Sequence, residues 1–245
     1  MKLLCLDIGN TSITICDYKN EKLGEITRVA SDENFINQLT RYNLGSFDFI
    51  ILCSVVPNLT KLLINYCKNH SINIYEINYK NSHLNLHVDN PSEVGNDRIC
   101  NAIAAKKLNF NPSIIIDFGT ATTYDVINND GDFIGGAIAP GIDVSADYLI
   151  NKTALLKDTI YKFPPKVIGK NTISNIQSGV MYGGLASVEG MIKLIDAEIG
   201  DESNNIIITG GFGKLISEKI NIKHTYIESL TIQGMLQVFF KNQKY

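Results

Sequence analysis

The stretch Leu4-Cys5-Leu6-Asp7-Ile8-Gly9-Asn10-Thr11 and its later counterpart Ile114-Ile115-Ile116-Asp117-Phe118-Gly119-Thr120 decide how the chain folds. Each is a short apolar run, read as a buried strand, that breaks at Asp-x-Gly and enters a turn of small polar residues. A second strand follows each turn. Ser12–Asp17 alternates, with Ile13 and Ile15 on one face, and Tyr124–Ile127 restarts the apolar pattern. The two copies stand about half a chain apart. That internal echo implies a duplicated strand–turn–hairpin unit, and with it two facing lobes and a cleft between them.

Outward from the first copy, Leu23–Val29 reads as a third strand and Glu33–Tyr42 as a helix capped by Ser31 or Asp32. Phe47–Val55 reads as a strand, Asn58–His70 as a helix on Leu59, Leu62, Leu63, Tyr66 and Cys67, and Ile72–Ile77 as a strand. Asn96–Leu108 is the next expected helix. After the second copy come a strand at Phe133–Ile138, a long helix at Gly179–Ile199 and a strand at Asn205–Thr209. Thr231–Lys241 reads as a terminal helix able to pack back on the first lobe. Pro112 breaks the helix before it, so the lobes are expected as 1–112 and 113–245 of an α/β protein.

The 245 residues are 44% hydrophobic and 19% charged, enough for a sizeable core. A net charge of −3 without a basic block argues against a nucleic-acid partner. Substrate phosphates must then be held by local features. The cysteines, Cys5, Cys16, Cys53, Cys67 and Cys100, are odd in number and lack a CxxC pair. They read as buried small apolar residues of a reducing compartment. The run Leu3–Leu6 is too short for a signal peptide, and no stretch has the length to span a bilayer.

Gly9 permits a sharp turn and the close approach of backbone to an anion. The N–H groups of Gly9–Ser12 and the Thr11 hydroxyl can face phosphate oxygens. Asp7 at the strand tip can hold Mg²⁺ through water. Asp117–Thr123 offers the same chemistry. Either turn alone is equally a plain hairpin turn with an Asx-type cap; the pair argues for a nucleotide. Gly135-Gly136-Ala137-Ile138-Ala139-Pro140-Gly141 reads as adjacent glycines before a helix, and Thr209-Gly210-Gly211-Phe212-Gly213 as a turn after a strand. Both suit close approach to a ligand or to another backbone. In Asn90–Arg98, Asp97 and Arg98 are neighbours at a helix start, where a carboxylate is favoured and N–H groups lack partners. A carboxylate base beside a guanidinium that anchors an anion suits a kinase. A helix-start Asp in a surface salt bridge is the plainer alternative.

Taken in order, these stretches resemble type III pantothenate kinases. The resemblance rests on Asp7–Thr11, Gly95-Asn96-Asp97-Arg98, Asp117–Thr123, Gly135–Gly141, Gly169-Lys170-Asn171-Thr172 with Gln177-Ser178-Gly179, and Thr209–Gly211. It spans nearly the whole chain. It implies two ribonuclease-H-like, actin-like ATPase lobes with a nucleotide cleft between them. It also implies a cytoplasmic ATP-dependent transferase that phosphorylates pantothenate, the first step of coenzyme A biosynthesis. By the same resemblance Asp97 is the general base toward the terminal hydroxyl of pantothenate. Gly95, Asn96, Arg98 and the position of Val88 shape the acceptor site, and Thr172 touches the substrate. Leu6, Asp7, Ile8, Gly9, Asn10, Thr11, Ser12 and Ile13 contact ATP, as does Thr120. Asp7 helps place Mg²⁺, Asp117 holds a monovalent cation, K⁺ or NH₄⁺, and Thr209–Gly211 lies against adenosine. Family members are homodimers whose substrate site is completed across the interface.

One position departs from the pattern. Family members commonly carry a tyrosine seven residues before the glycine of Gly95–Arg98, and this chain has Val88 there. The neighbouring His87 is expected to be solvated, on the opposite face of an extended segment. Two other readings compete. One is a different small-molecule kinase on the same fold, against which Gly95–Arg98 argues. The other is a ligand-sensing regulator, against which the retention of both Asp7 and Asp97 argues.

Overall fold

The structure, a computed structural model, describes residues 1–151, 161–200 and 204–243. In chain order its elements are β1 (Lys2–Ile8), β2 (Ser12–Lys19), β3 (Lys22–Leu23), β4 (Thr27–Ala30), α1 (Phe35–Leu39), β5 (Phe49–Ser54), α2 (Pro57–Asn69), β6 (Ile74–Glu76) and α3 (Asn96–Lys107). There follow β7 (Ser113–Phe118), β8 (Ala121–Ile127), β9 (Phe133–Pro140), α4 (Ile142–Asn151), α5 (Thr172–Ile199), β10 (Asn205–Gly210), α6 (Gly213–Ser217), β11 (Thr225–Tyr226) and α7 (Leu230–Asn242).

The strands sort into two sheets of one design. The first runs β3-β2-β1-β5-β6, with β4 also paired to β2, and the second, read from its other edge, runs β9-β8-β7-β10-β11. In the first, β1 is antiparallel to β2 and parallel to β5, which is parallel to β6. In the second, β10 is parallel to both β7 and β11. Only two residues join β7 to β8, a connection that antiparallel neighbours alone permit. The echo heard in two Asp-x-Gly turns is thus an echo of whole sheets.

The chain forms two compact units. One comprises Met1–Phe110, Ile127–Gly135 and Ser229–Tyr245, the other Asn111–Val126 and Gly136–Glu228. The tip of the β8–β9 hairpin and helix α7 therefore belong with the first sheet.

In the first unit the sheet is apolar on both faces, as central parallel strands are. Leu4, Leu6, Ile8, Ile50 and Leu52 pack with Phe35 and Leu39 of α1 and Leu59, Leu63 and Cys67 of α2. The alternate residues Leu3, Cys5, Ile51 and Cys53 pack with Cys100 of α3 and Ile232, Met235 and Phe239 of α7. All five cysteines are buried thiols. In the second unit Ile114, Ile116 and Phe118 of β7 and Ile206 and Ile208 of β10 pack against Met181, Val188 and Ile192 of α5. Each such fully buried side chain stabilises the fold by about 1.5–3 kcal/mol relative to leaving it in water. Among the described residues no helix is long and apolar enough to cross a membrane.

Several elements differ from expectation. The strand expected at Leu23–Val29 is broken into β3 and β4, because the Asp17 side chain folds onto Gly24 where a Cβ would sit. The helix expected at Glu33–Tyr42 shrinks to α1. Its last turn tightens to a 3-10 turn over Thr40–Tyr42, and Asn43, at φ 47°, ends it. Helix α5 begins before Gly179, at Thr172, since Asn171 and Ser174 form a reciprocal capping box. Gly135 and Gly136 lie inside β9, and the turn into helix α4 falls at Gly141 instead.

Candidate active site

In the first unit, the expected site residues converge on the carboxyl ends of β1 and β5, where open α/β sheets place their ligands. Asp7 stands opposite Cys53 in the parallel register, and Ile8 opposite Ser54. The turn after β1 is closed by Gly9, whose N–H donates to the Ser12 carbonyl at 3.0 Å. The Ser31 hydroxyl and N–H pin it further, donating to the Gly9 and Thr11 carbonyls at 2.6 and 3.1 Å. The Gly9 N–H is therefore used inside the turn.

Helix α3 starts beside these strand ends. The Asn96 side-chain amide donates to the Ser54 carbonyl at 3.1 Å, and the Val55 N–H donates to the Ile8 carbonyl at 3.1 Å. Gly95 is the residue before the helix. A Cβ there would lie 2.5 Å from Asp97 Oδ1 and 3.6 Å from Val55 Cγ1, so glycine is what lets the Asp97 carboxylate sit back over its own helix start. Asp97 Oδ1 accepts the Arg98 N–H at 2.8 Å. The Asp97 residue keeps part of its surface open, yet its carboxyl is densely surrounded. Burial raises its pKa above the ordinary 3.8, and the Arg98 N–H and guanidinium offset only part of that. The charges of Asp7 and Asp97 both help to push up the Cys53 thiol, after its contact with Cys100 and its burial, which places both carboxylates near one buried thiol. Leu6–Ile13 and Gly95–Arg98, distant in sequence, thus form one neighbourhood.

The segment that carries Val88 reaches this neighbourhood through Phe133. The preceding residue, His87, donates its N–H to the Phe133 carbonyl at 2.8 Å, and the Arg98 guanidinium carbon lies 5.4 Å from the Phe133 ring centroid. His87 is solvent-exposed, as expected, and it also has a partner. Its Nε2 donates to Asp132 Oδ2 at 3.1 Å, so it is a partnered side chain although its ring is largely exposed. The His87 hydrogen bond, against the opposing effect of burial and helped by Asn85 and Lys106, holds the Asp132 carboxyl below the ordinary range.

The second unit carries its own turn. Asp117, next to last in β7, stands opposite Thr209 of β10. The Gly119 N–H donates to the Ala121 carbonyl at 3.1 Å, and the Gly141 N–H to the Thr120 carbonyl at 3.1 Å. Two glycines crowd this turn. A Cβ on Gly141 would lie 2.5 Å from the Thr120 carbonyl, and one on Gly210, at φ +88°, would meet the Asp117 carboxylate. Thr172 is not part of this cluster. It opens α5, whereas Ile142, next to Gly141, touches the same helix at Gly184, twelve residues or about 18 Å further along.

Sequence reasoning missed Ser54, Phe133 and Asp132. Ser54 had a signal, the end of an apolar strand just before Pro57. The other two lie in a hairpin whose pattern says strand and turn and nothing about what it touches.

Comparison with known proteins gives a consistent result. The family model described as type III pantothenate kinase matches residues 3–194. A type III pantothenate kinase from Moorella thermoacetica is 37% identical over 254 residues, covering 98% of this chain and 99% of that protein. A solved structure from Campylobacter jejuni, described as a Baf family transcriptional activator, aligns with a TM-score of 0.64 at 20% identity, covering 99% of this chain and 100% of that one. A protein from Sinorhizobium meliloti described as a 2-dehydro-3-deoxygalactonokinase aligns with a TM-score of 0.61 at 10% identity, covering 99% and 97%. At such identities the two structural likenesses speak for the fold alone, that of the actin-like ATPases.

Proposed function

We infer the roles of single residues from one premise: the chain belongs to the type III pantothenate kinase family and is an ATP-dependent kinase that phosphorylates pantothenate on the route to coenzyme A. Asp97 is the general base that takes the proton from the terminal hydroxyl of pantothenate as the γ-phosphoryl of ATP arrives. The observation that carries this role is its carboxylate at the tip of α3, tied by Asn96 to the end of β5 beside the Asp7 turn. Burial makes that carboxylate a better base than an exposed one. Arg98 anchors the substrate carboxylate, Gly95 and Asn96 set the backbone around it, and Val88 lines the site without the phenol that its relatives carry. The residues Leu6–Ile13 and Thr120 hold ATP. Such a transfer needs positioning and charge neutralisation more than covalent chemistry.

Asp7 suits a divalent cation of the Mg²⁺ kind. Among the described residues no group of three or more His, Cys, Asp or Glu forms a metal cage, and Mg²⁺ is ordinarily held by one or two carboxylates, water and substrate phosphates. Asp117, crowded by Gly210, suits a monovalent cation such as K⁺ or NH₄⁺. Each ion, when bound, supplies neutralisation of phosphate charge. Replacing Li⁺ by K⁺ in the assay buffer is expected to raise the rate; equal rates in both would remove the cation role from Asp117.

We read the chain as a cytoplasmic homodimer whose two lobes divide near residue 112, except that residues 127–135 and the last helix go with the first lobe. Val144, Tyr148 and Leu149 of α4, with Val167, Ile168 and Ile173, are exposed apolar residues that a second copy would cover. Thr172 lies beside them in sequence and would then serve the partner's acceptor site. The test of the whole reading is ADP release with and without pantothenate. Release that depends on pantothenate supports it. Release with another alcohol only would point to a different kinase, and none at all to a ligand-sensing regulator.

A further inference from the structure

We propose that Phe133 is a positioning residue for the acceptor substrate, its ring fixing the Arg98 guanidinium while its backbone fixes the segment that carries Val88. The inference rests on the reading of Arg98 and Val88 as acceptor-site residues. Phe133 opens β9 and is 1% exposed, so the ring cannot swing away. Its N–H donates to the Asn85 carbonyl at 3.0 Å, and its carbonyl accepts the His87 N–H at 2.8 Å. Leu86, between them, pairs with it as an isolated parallel bridge. Val88 therefore leaves an anchored position.

The ring side does a second job. The Arg98 guanidinium carbon lies over the ring, 5.4 Å from its centroid, within reach of a cation–ring contact. The guanidinium N–H groups form a planar fork suited to a carboxylate, so what the ring fixes is where that fork is held.

The rest of the hairpin tip holds the same two elements. Asp132 accepts from Asn85 Nδ2 at 3.0 Å and His87 Nε2 at 3.1 Å, both on the 85–88 segment, and from Lys106 Nζ at 3.4 Å. Lys106 lies near the far end of α3, and its stem packs on Gly131, where a Cβ would lie 2.7 Å from it. One short hairpin thus grips α3 at Arg98 and at Lys106, and the Val88 segment between. These contacts all lie within the first unit.

The test is Phe133→Leu, which keeps the backbone bonds and an apolar side chain but removes the ring face. KM for pantothenate, KM for ATP and kcat are measured in the wild-type and Arg98→Met backgrounds. Phe133→Leu is expected to raise the pantothenate KM about 3- to 30-fold, the range of such a cation–ring contact, and to leave the ATP KM within about twofold. In the Arg98→Met background it should add nothing, and Phe133→Tyr, which restores a ring, should return the KM. An equal rise in both KM values, or a full additional rise in the Arg98→Met background, would reduce Phe133 to a core residue and overturn the proposal. An Arg98→Met protein with normal pantothenate KM would instead sink the acceptor-site reading beneath it. Should Phe133→Leu fail to fold, Asp132→Asn loosens the same grip. A selective rise in pantothenate KM supports the proposal there too, and no selective rise counts against it.

Discussion

Asp97→Asn is expected to lose turnover by roughly 10²–10⁴-fold and, at pH 7, to melt at a higher temperature than the wild type. The two effects share one cause. The Asp97 carboxyl is densely surrounded, and burial raises its pKa above the ordinary 3.8 despite the Arg98 N–H and guanidinium. A carboxyl whose folded-state pKa is raised favours folding in its protonated form. That contribution is fully present below the unfolded pKa and is lost as pH rises through the folded value. At pH 7 the wild type therefore holds a buried charge at a cost to stability. Asparagine keeps the shape, and its Oδ1 can go on accepting the Arg98 N–H that Asp97 accepts at 2.8 Å. It removes the charge, and with it the proposed base.

The sign can be checked by pH. As pH falls toward the ordinary carboxylate range, the stability advantage of Asp97→Asn should shrink. Over the same range wild-type kcat/KM should fall as Asp97 takes up its proton, with the acid limb above 3.8. Thermal melts at pH 7 and at acid pH, beside ADP release, test both. Near-normal turnover would end the role of Asp97 as base. A variant less stable than the wild type at pH 7 would show that the carboxylate is satisfied where it lies, and that burial is not what tunes it.

What could be read from the sequence follows from how local each pattern is. Asp7 and Asp117 are legible because a buried strand ending at Asp-x-Gly carries its own turn, and because the chain carries the pattern twice. Asp97 and Arg98 are legible because a helix start has local rules. The break between β3 and β4 is not, since it depends on the Asp17 side chain covering Gly24, a contact that alternation cannot show. Nor is α1, where Phe35 and Leu39 alone are buried and nothing further along needs burial to continue the helix. Phe133 and Asp132 lie furthest from reach. Their partners Asn85, His87, Arg98 and Lys106 belong to two other elements, and strand periodicity says only that one face of β9 is apolar. The motifs name the candidate reacting groups; the residues packed around them are found only once the chain is folded.

Gly234, which no motif contains, is a further residue whose importance shows only in the folded chain. Gly234 sits in α7 against the backbone of Cys100 in α3, and a Cβ there would overlap the Cys100 carbonyl, with that residue's Cα 2.8 Å away. Backbone cannot rotate aside as a side chain can, so Gly234→Ala must push the two helices apart. Around that contact Thr231 donates its hydroxyl to Asn101 Oδ1 at 2.8 Å, and Ile232, Met235 and Phe239 share one core with Leu3, Cys5 and Ile51. Separation of α7 would expose that core and free the helix whose first turn holds Asp97. Overpacking ordinarily costs about 1–3 kcal/mol, and a clash with backbone at the centre of a helix pair belongs at the upper end or beyond. Gly234→Ala is therefore expected to lower unfolding stability in urea by about 3 kcal/mol or more, and to lower kcat in the fraction that folds. Gly190→Ala is the control. It lies within α5, and a Cβ added there would meet nothing within 4 Å. Alanine should therefore stabilise by about 0.5–1 kcal/mol through helix propensity alone. If both variants unfold at the wild-type midpoint, the close approach of α7 to α3 does not hold the first unit together, and the support of Asp97 must be sought on the sheet side of its helix.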